Sequence, residues 1–243
     1  MNDAVTGRRA LLLPAAVLAL GAVLAAVIFG SFFYRARAPQ QTVRVAGSAT
    51  RPFEADVIKW RLTLSRQVGD AAIRDGYAAL RDDVTNFRAV LRERGLPDSA
   101  LVAQPPTAQP LWGREGVRTG YTLQQPLYVI SERLPDLEPL ALDPAAMLRE
   151  GAVLEMSQLE YFYSDIARLK HELLSEATRD AHARAAQIAE ASDAGVGGII
   201  AARAGVFQIT EPFSTEVSGF GMHSTNTRKK EITVTVHADF QLR

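Results

Sequence analysis

Four histidines are the only imidazoles in 243 residues, and the chain has no cysteine. Beyond the carboxylates, those four are therefore its only candidates for binding a transition metal or moving protons near neutral pH. Their spacing argues against either task. His171 and His182 are eleven residues apart in what reads as a single helix. They share an azimuth but stand about 16 Å apart along the axis, too far for one ion to bridge. His223 falls in a polar loop and His237 on the polar face of a strand. No His-x3-His or His-Glu-x-x-His spacing occurs. Solvated surface imidazoles account for all four, and no metal site is assigned.

Nucleophilic chemistry fares no better. There is no Gly-x-Ser-x-Gly elbow, and no Ser-x-x-Lys with a partner set behind it. Glu172, Glu176 and Asp180 line one helix face at i,i+4 spacing, but Arg168, Arg179 and Arg184 stand beside them, which makes the face a solvated one. Val196-Gly197-Gly198 follows a helix and precedes a strand, the reverse of a phosphate loop; a cap and turn explains it. No catalytic residue and no cofactor is assigned, and the expectation is a protein that is not an enzyme.

Contact with a partner has better candidates. Leu111 and Trp112 lie at the tip of a proline-rich hairpin, and Phe213, Phe220 and Met222 interrupt the polar loop Glu211–Lys230. Large apolar groups on loops serve recognition, or they tuck back onto the domain's own core; the sequence leaves both open. Nucleic acid is not an expected partner, because 27 basic residues balance 27 acidic ones and no basic stripe exists.

These residues need elements to hold them. The chain opens with a tail, residues 1–9, and then runs ALLLPAAVLALGAVLAAVIFGSFFY from Ala10 to Tyr34 without a charge. Such a run is long enough for a transmembrane helix; a cleaved signal has a shorter apolar region, of about 7–15 residues. The expectation is an uncleaved anchor over residues 10–34, closed by the aromatic edge Phe32, Phe33 and Tyr34. Arg8 and Arg9 precede the anchor, while Arg35, Arg37 and Arg44 follow it, so flanking charge barely chooses a side. A short tail followed by one large domain usually places the domain across the membrane. A linker, residues 35–42, leads into a domain over residues 43–243.

Within that domain, period-two alternation predicts strands at Val43–Ala49, from Asp56 (apolar Ile58, Trp60, Leu62, Leu64), and at Ile232–Leu242. Further strands are expected at Leu101–Trp112, Gly120–Ser131, Val153–Tyr163 and Gly198–Thr210. An apolar stripe of Ile73, Tyr77, Leu80, Val84, Phe87 and Leu91 predicts a helix from Asp70, stopped by Gly95 and Pro97. A weaker helix is expected over Leu134–Gly151, and a long one over Asp165–Ala194, ended by Gly195. The order ββαββ-αβαββ points to an α+β fold, a mainly antiparallel sheet with helices packed on one face.

Three blocks of this sequence resemble the SIMPL-domain family. VRVAGSATRPFEADVIKWRLTLS (Val43–Ser65) is similar to the family's short strand, Gly-x-Gly-like turn, Pro-Asp-x-Ala and long strand. It departs from the pattern at Ala49, where a second glycine would stand, and at Phe53-Glu54-Ala55-Asp56. Gly120-Tyr121 with QQPLYVISERLPDL resembles the second block, and Leu173–Arg203 the third, an Ala-rich helix and Gly-punctuated strand entry. The resemblance implies a bacterial envelope protein, of a kind linked to oxidative-stress defence or known as a periplasmic immunogenic antigen. With the anchor read at residues 10–34 and the translocation default, it points to an inner-membrane protein with its soluble domain in the periplasm, and it further implies homo-oligomeric assembly. It supplies no catalytic residues. The leading expectation is thus a non-catalytic, membrane-anchored homo-oligomeric scaffold; a tethered module binding a small molecule or peptide is the alternative, and a hydrolase comes third.

Overall fold

The structure is a computed structural model that describes residues 18–34 and 41–243. The expected tail, the first part of the anchor and most of the linker lie outside the described residues. Residues 18–34 form a helix, α1, exposed along its whole length. Among the described residues no helix is long and apolar enough to cross a membrane.

Ten strands and three further helices follow: β1 (Thr42–Glu54), β2 (Val57–Gly69), α2 (Ile73–Glu93), β3 (Leu101–Ala103), β4 (Thr107–Trp112), β5 (Arg118–Ser131), α3 (Leu134–Leu142), β6 (Val153–Phe162), α4 (Ile166–Glu190), β7 (Val196–Ala204), β8 (Gln208–Thr210), β9 (Met222–His223) and β10 (Lys229–Leu242). The α+β class stands, but the single sheet does not. The strands divide into two five-stranded sheets, one ordered β3-β5-β2-β6 with β4 also on β5, the other β1-β10-β8-β9 with β7 also on β10. Alternation shows which side of a strand is buried without naming the strand beside it, so the partition was not visible in the sequence.

By its contacts the chain groups into two compact units. One holds the described residues up to Arg44 together with Ala185–Ile200 and Asp239–Arg243; the other holds Val45–Arg184 and Ala201–Ala238.

The larger unit has two apolar clusters. In the first, Ile58, Trp60, Leu62 and Leu64 of β2 pack with Leu80, Phe87 and Leu91 of α2 and with Leu134, Leu137 and Leu140 of α3. Trp60 is fully buried, its ring tilted against Phe87 at 5.5 Å, and its indole N–H donates to Ser157 Oγ (2.9 Å). The ladder is antiparallel throughout this sheet. Pro126 of β5 falls opposite the break between β3 and β4, where a residue without an N–H interrupts the partner strand least. In the second cluster, Leu169, Leu173 and Ala177 of α4 cover Ile209, Ile232, Val234 and Val236.

Helix ends explain two departures from expectation. Gly95 does stop α2: it is left-handed at φ 76°, and Leu96 N–H reaches back to Leu91 O. Asp70, where that helix was expected to begin, lies instead in a short 3-10 turn ahead of Ile73 and pairs with Arg118 (2.9 Å). At the end of α4 the left-handed residue is Asp193 (φ 54°), which tolerates that conformation through its short polar side chain. Gly195, the expected stop, instead exchanges both backbone hydrogen bonds with Arg243 at 2.8 Å.

Candidate interaction surfaces

Hydrogen bonds along β4 and β5 position the first pair of candidates. Gly113 N–H closes the hairpin turn onto Val117 O (2.8 Å), and Gly116 holds φ 71° within it. A register shift between Leu111 and Trp112 re-aims the tip. Leu111 is half-buried opposite Gly120, whereas Trp112 and its neighbour Val117 are each 64% exposed. Trp112 is therefore a surface group and not part of the core.

Phe213, Phe220 and Met222 belong to the other sheet. The loop between β8 and β9 connects parallel neighbours, with Gln208 beside Met222 and Ile209 beside His223. Its ends are thus pinned, and its middle is braced. Gln208 Nε2 donates to Ser218 O (2.6 Å), and Gln208 Oε1 accepts from Ser218 N–H (3.4 Å). Gly221 N–H donates to Ser218 O and Ser214 N–H to Glu211 O. On this brace Phe213 is 94% exposed, Val217 81% and Phe220 100%, while Met222 is half-buried in β9. Phe213 sits at φ 64°, an uncommon conformation for a bulky residue. The two candidate groups lie on different sheets and make two surfaces.

Sequence reading missed three features. Val217 stood alone among polar residues and gave no signal. Lys230 lies in phase with Ile232, Val234 and Val236, so its side chain enters the apolar face and is 2% exposed. Its ammonium donates to Ser224 O, and Ser224 Oγ donates to Glu211. Burial pushes the Lys230 amine below its ordinary range, partly opposed by Glu211. Ser224's hydrogen bond is the main cause of the lowered Glu211 carboxyl. Burial and then the charges of Lys230 and Lys170 lower His223. A lysine two residues before an alternating run was the available clue.

The third feature is β7. Its only strand partner among the described residues is β10, and from Gly198 to Ala204 it is exposed throughout, with Ile199 at 49% and Ile200 at 48%. Arg203 is its one charge and it contains no proline. Val196-Gly197-Gly198 is the start of this strand. A Cβ on Gly197 would meet Gln241 O at 3.1 Å and Arg243 Nε at 2.9 Å, so close packing on the last strand explains that glycine.

Several charged groups elsewhere are paired. Arg51 bonds Glu172 (2.5 Å) and Glu176, and Arg168 bonds Asp165 and Glu172. Hydrogen bonds from Arg51 and then Arg168 hold the Glu172 carboxyl below its usual range. Arg228 pairs with Glu54 (2.7 Å) and approaches Glu138 (3.7 Å). Beside it Tyr161 is pushed up to about 12, first by burial and then by its hydrogen bond with Glu138. Among the described residues no group of three or more His, Asp or Glu side chains could hold a metal ion. A groove of about 440 Å³ runs beside α2, floored by Leu80, Val84 and Pro106 and flanked by Arg81 and Arg88.

No curated protein matches this sequence. A family match does: the model of SIMPL, described as a protein of unknown function (DUF541), aligns with residues 43–240. The aligned span takes in nearly all of β1 and of β10, hence both sheets. On that match the chain belongs to the SIMPL family.

Proposed function

We propose that this chain is a non-catalytic envelope scaffold, tethered to the bacterial inner membrane with its domain in the periplasm, that assembles with copies of itself. The observation that carries this reading is the bare edge of β7. A strand hydrogen-bonded on one side offers a row of free N–H and C=O groups to another strand, and natural proteins blunt such edges with lysine, proline or bulges. Here the row is uncharged up to Arg203, and isoleucine, alanine and glycine clothe both faces. An antiparallel copy centred on Ile200 would set Arg203 opposite Gly197, so the pairing brings no like charges together.

The tether supports the same reading. The uncharged run Ala10–Tyr34 is long enough to span a bilayer, and holding copies on one surface raises their effective concentration. Mass measurement of the whole chain in detergent tests the proposal. Wild type is expected above monomer mass, and Ile199→Lys/Ile200→Lys is expected as a monomer with unchanged circular dichroism. A wild type that is monomeric at micromolar concentration, with and without residues 1–41, overturns it.

A second reading, a tethered module for a small molecule, draws on the groove beside α2. Its apolar floor and two arginines suit an anionic amphiphile. Thermal stabilisation by medium-chain fatty acids, lost in Arg81→Ala/Arg88→Ala, would favour it.

A further inference from the structure

The loop between β8 and β9 displays three large apolar side chains that touch almost nothing. Phe213, Val217 and Phe220 are 94%, 81% and 100% exposed. Exposure of this degree is not looseness in the loop: strand pairing fixes both ends, and Gln208 clasps Ser218 from both sides. Phe213 is held outward on a left-handed backbone, which for a bulky residue persists only where its surroundings impose it. Between Glu211 and Gly221 the only charges are Glu211 and Glu216. Glu211 turns back to Ser224, leaving Glu216 as the single charge not engaged in that brace.

What covers such a loop is set by where the domain is kept. Between Tyr34 and Thr42 the extended chain spans at most about 28 Å. If Ala10–Tyr34 lies in the membrane, that leash is shorter than an ordinary compact domain of this length is wide, and the domain works against the lipid surface. Protruding rings need no matching cavity in a bilayer, whose interface accepts aromatic side chains at any lateral position. A protein partner would need three pockets in register. The geometry points to the Phe213–Val217–Phe220 loop as a second membrane contact, inserted among the lipid headgroups and upper acyl chains of the tethering bilayer. This rests on the tethered reading above and adds a contact to it.

The absence of cysteine makes the test clean. Single variants Phe213→Cys, Phe220→Cys, Glu115→Cys and Leu24→Cys of the whole chain are labelled with a nitrobenzoxadiazole fluorophore. They are reconstituted in phosphatidylcholine–phosphatidylglycerol vesicles. Labels at 213 and 220 are expected to be quenched by lipids carrying a nitroxide near the headgroup, with iodide quenching reduced at least fivefold relative to 115. Iodide access at 213 and 220 equal to that at 115 overturns the proposal. Protection that is insensitive to nitroxide lipid but lost on dilution of the protein also overturns it, by identifying a second copy as the cover. The label at 24 reports the tether separately. Quenched by a nitroxide deep in the acyl chains, it upholds the anchor whatever the loop does. If it is unquenched the anchor fails, and the labels at 213 and 220 still decide the loop.

Discussion

The Cβ that Gly47 lacks would lie 2.6 Å from Ala181 Cα, inside any permitted contact distance. The same atom would collide with Ala177 O and the Ala181 amide. β1 therefore crosses α4 backbone against backbone, and Ser48 N–H, the next residue along, donates to Asp180 Oδ2 (2.8 Å). What resembles a Gly-x-Gly turn in the sequence is the middle of a continuous thirteen-residue strand. Glycine is there for approach and not for bending.

Gly47→Ala should accordingly destabilise the domain by at least about 2 kcal/mol, the upper part of the range for overpacking, since the colliding atoms are backbone. Urea unfolding reads the change. A loss below about 0.5 kcal/mol would mean that α4 moves away freely.

Asp83, 2% exposed, accepts both Arg66 Nε and Nη2, the latter at 2.8 Å, and Arg66 also donates to Glu150 O (2.9 Å). Removing one partner strands the other charge, so Asp83→Ala should cost about 3–5 kcal/mol. Asp83→Leu/Arg66→Met, which removes both charges, should recover most of that. A double variant no better than the single one would show that hydrogen bonds, and not the stranded charge, set the cost.

Tyr161 should ionise well above the ordinary range of a tyrosine. Its folded pKa is raised from 10.0 to about 12, so the folded state keeps a proton that the unfolded state releases. Stability from this group is complete below pH 10 and is lost as pH rises from 10 towards 12. Absorbance titration at 295 nm should show a late step that Tyr161→Phe removes. A titration that ends by pH 10.5 in the folded protein would refute the assignment.

Trp112→Ala, Phe213→Ser and Phe220→Ser should each change stability by no more than about 0.5 kcal/mol, as surface substitutions do. Trp60→Ala should cost about 3–5 kcal/mol. The contrast, read by thermal and urea melts, separates exposed aromatics from core ones. A large loss at Phe220 would mean that its ring packs on the domain after all.

Much of the fold was legible because many strands bury one face. β2 and β10 alternate in sequence, and Ile58, Trp60 and Leu62, like Ile232, Val234 and Val236, are buried as that alternation requires. β7 was legible as a strand, not as an edge: an apolar run normally means burial on both faces, whereas Ile199 and Ile200 are 49% and 48% exposed. Phe213 and Phe220 stood out as apolar groups in a polar loop. Whether they turn in or out depends on backbone geometry, above all the left-handed Phe213, which composition does not encode. Lys230 was hidden because a lysine at a strand end normally reads as solvent-facing.

Among the strands, the one latest in chain order is the middle of its sheet, since β10 lies between β1 and the pair β7 and β8. Gln41 O accepts Leu242 N–H, Arg44 meets Asp239, and Thr50 meets Thr233, so the two strands run in opposite directions. During synthesis β1 emerges long before its neighbour. At roughly 5–20 residues per second the wait is roughly ten to forty seconds for β1 and only a few seconds for β7, which is made shortly before their shared partner. The chain's vulnerability is thus one of timing: β1, and later β7, stay without their partner until the fourteen-residue β10 has been made.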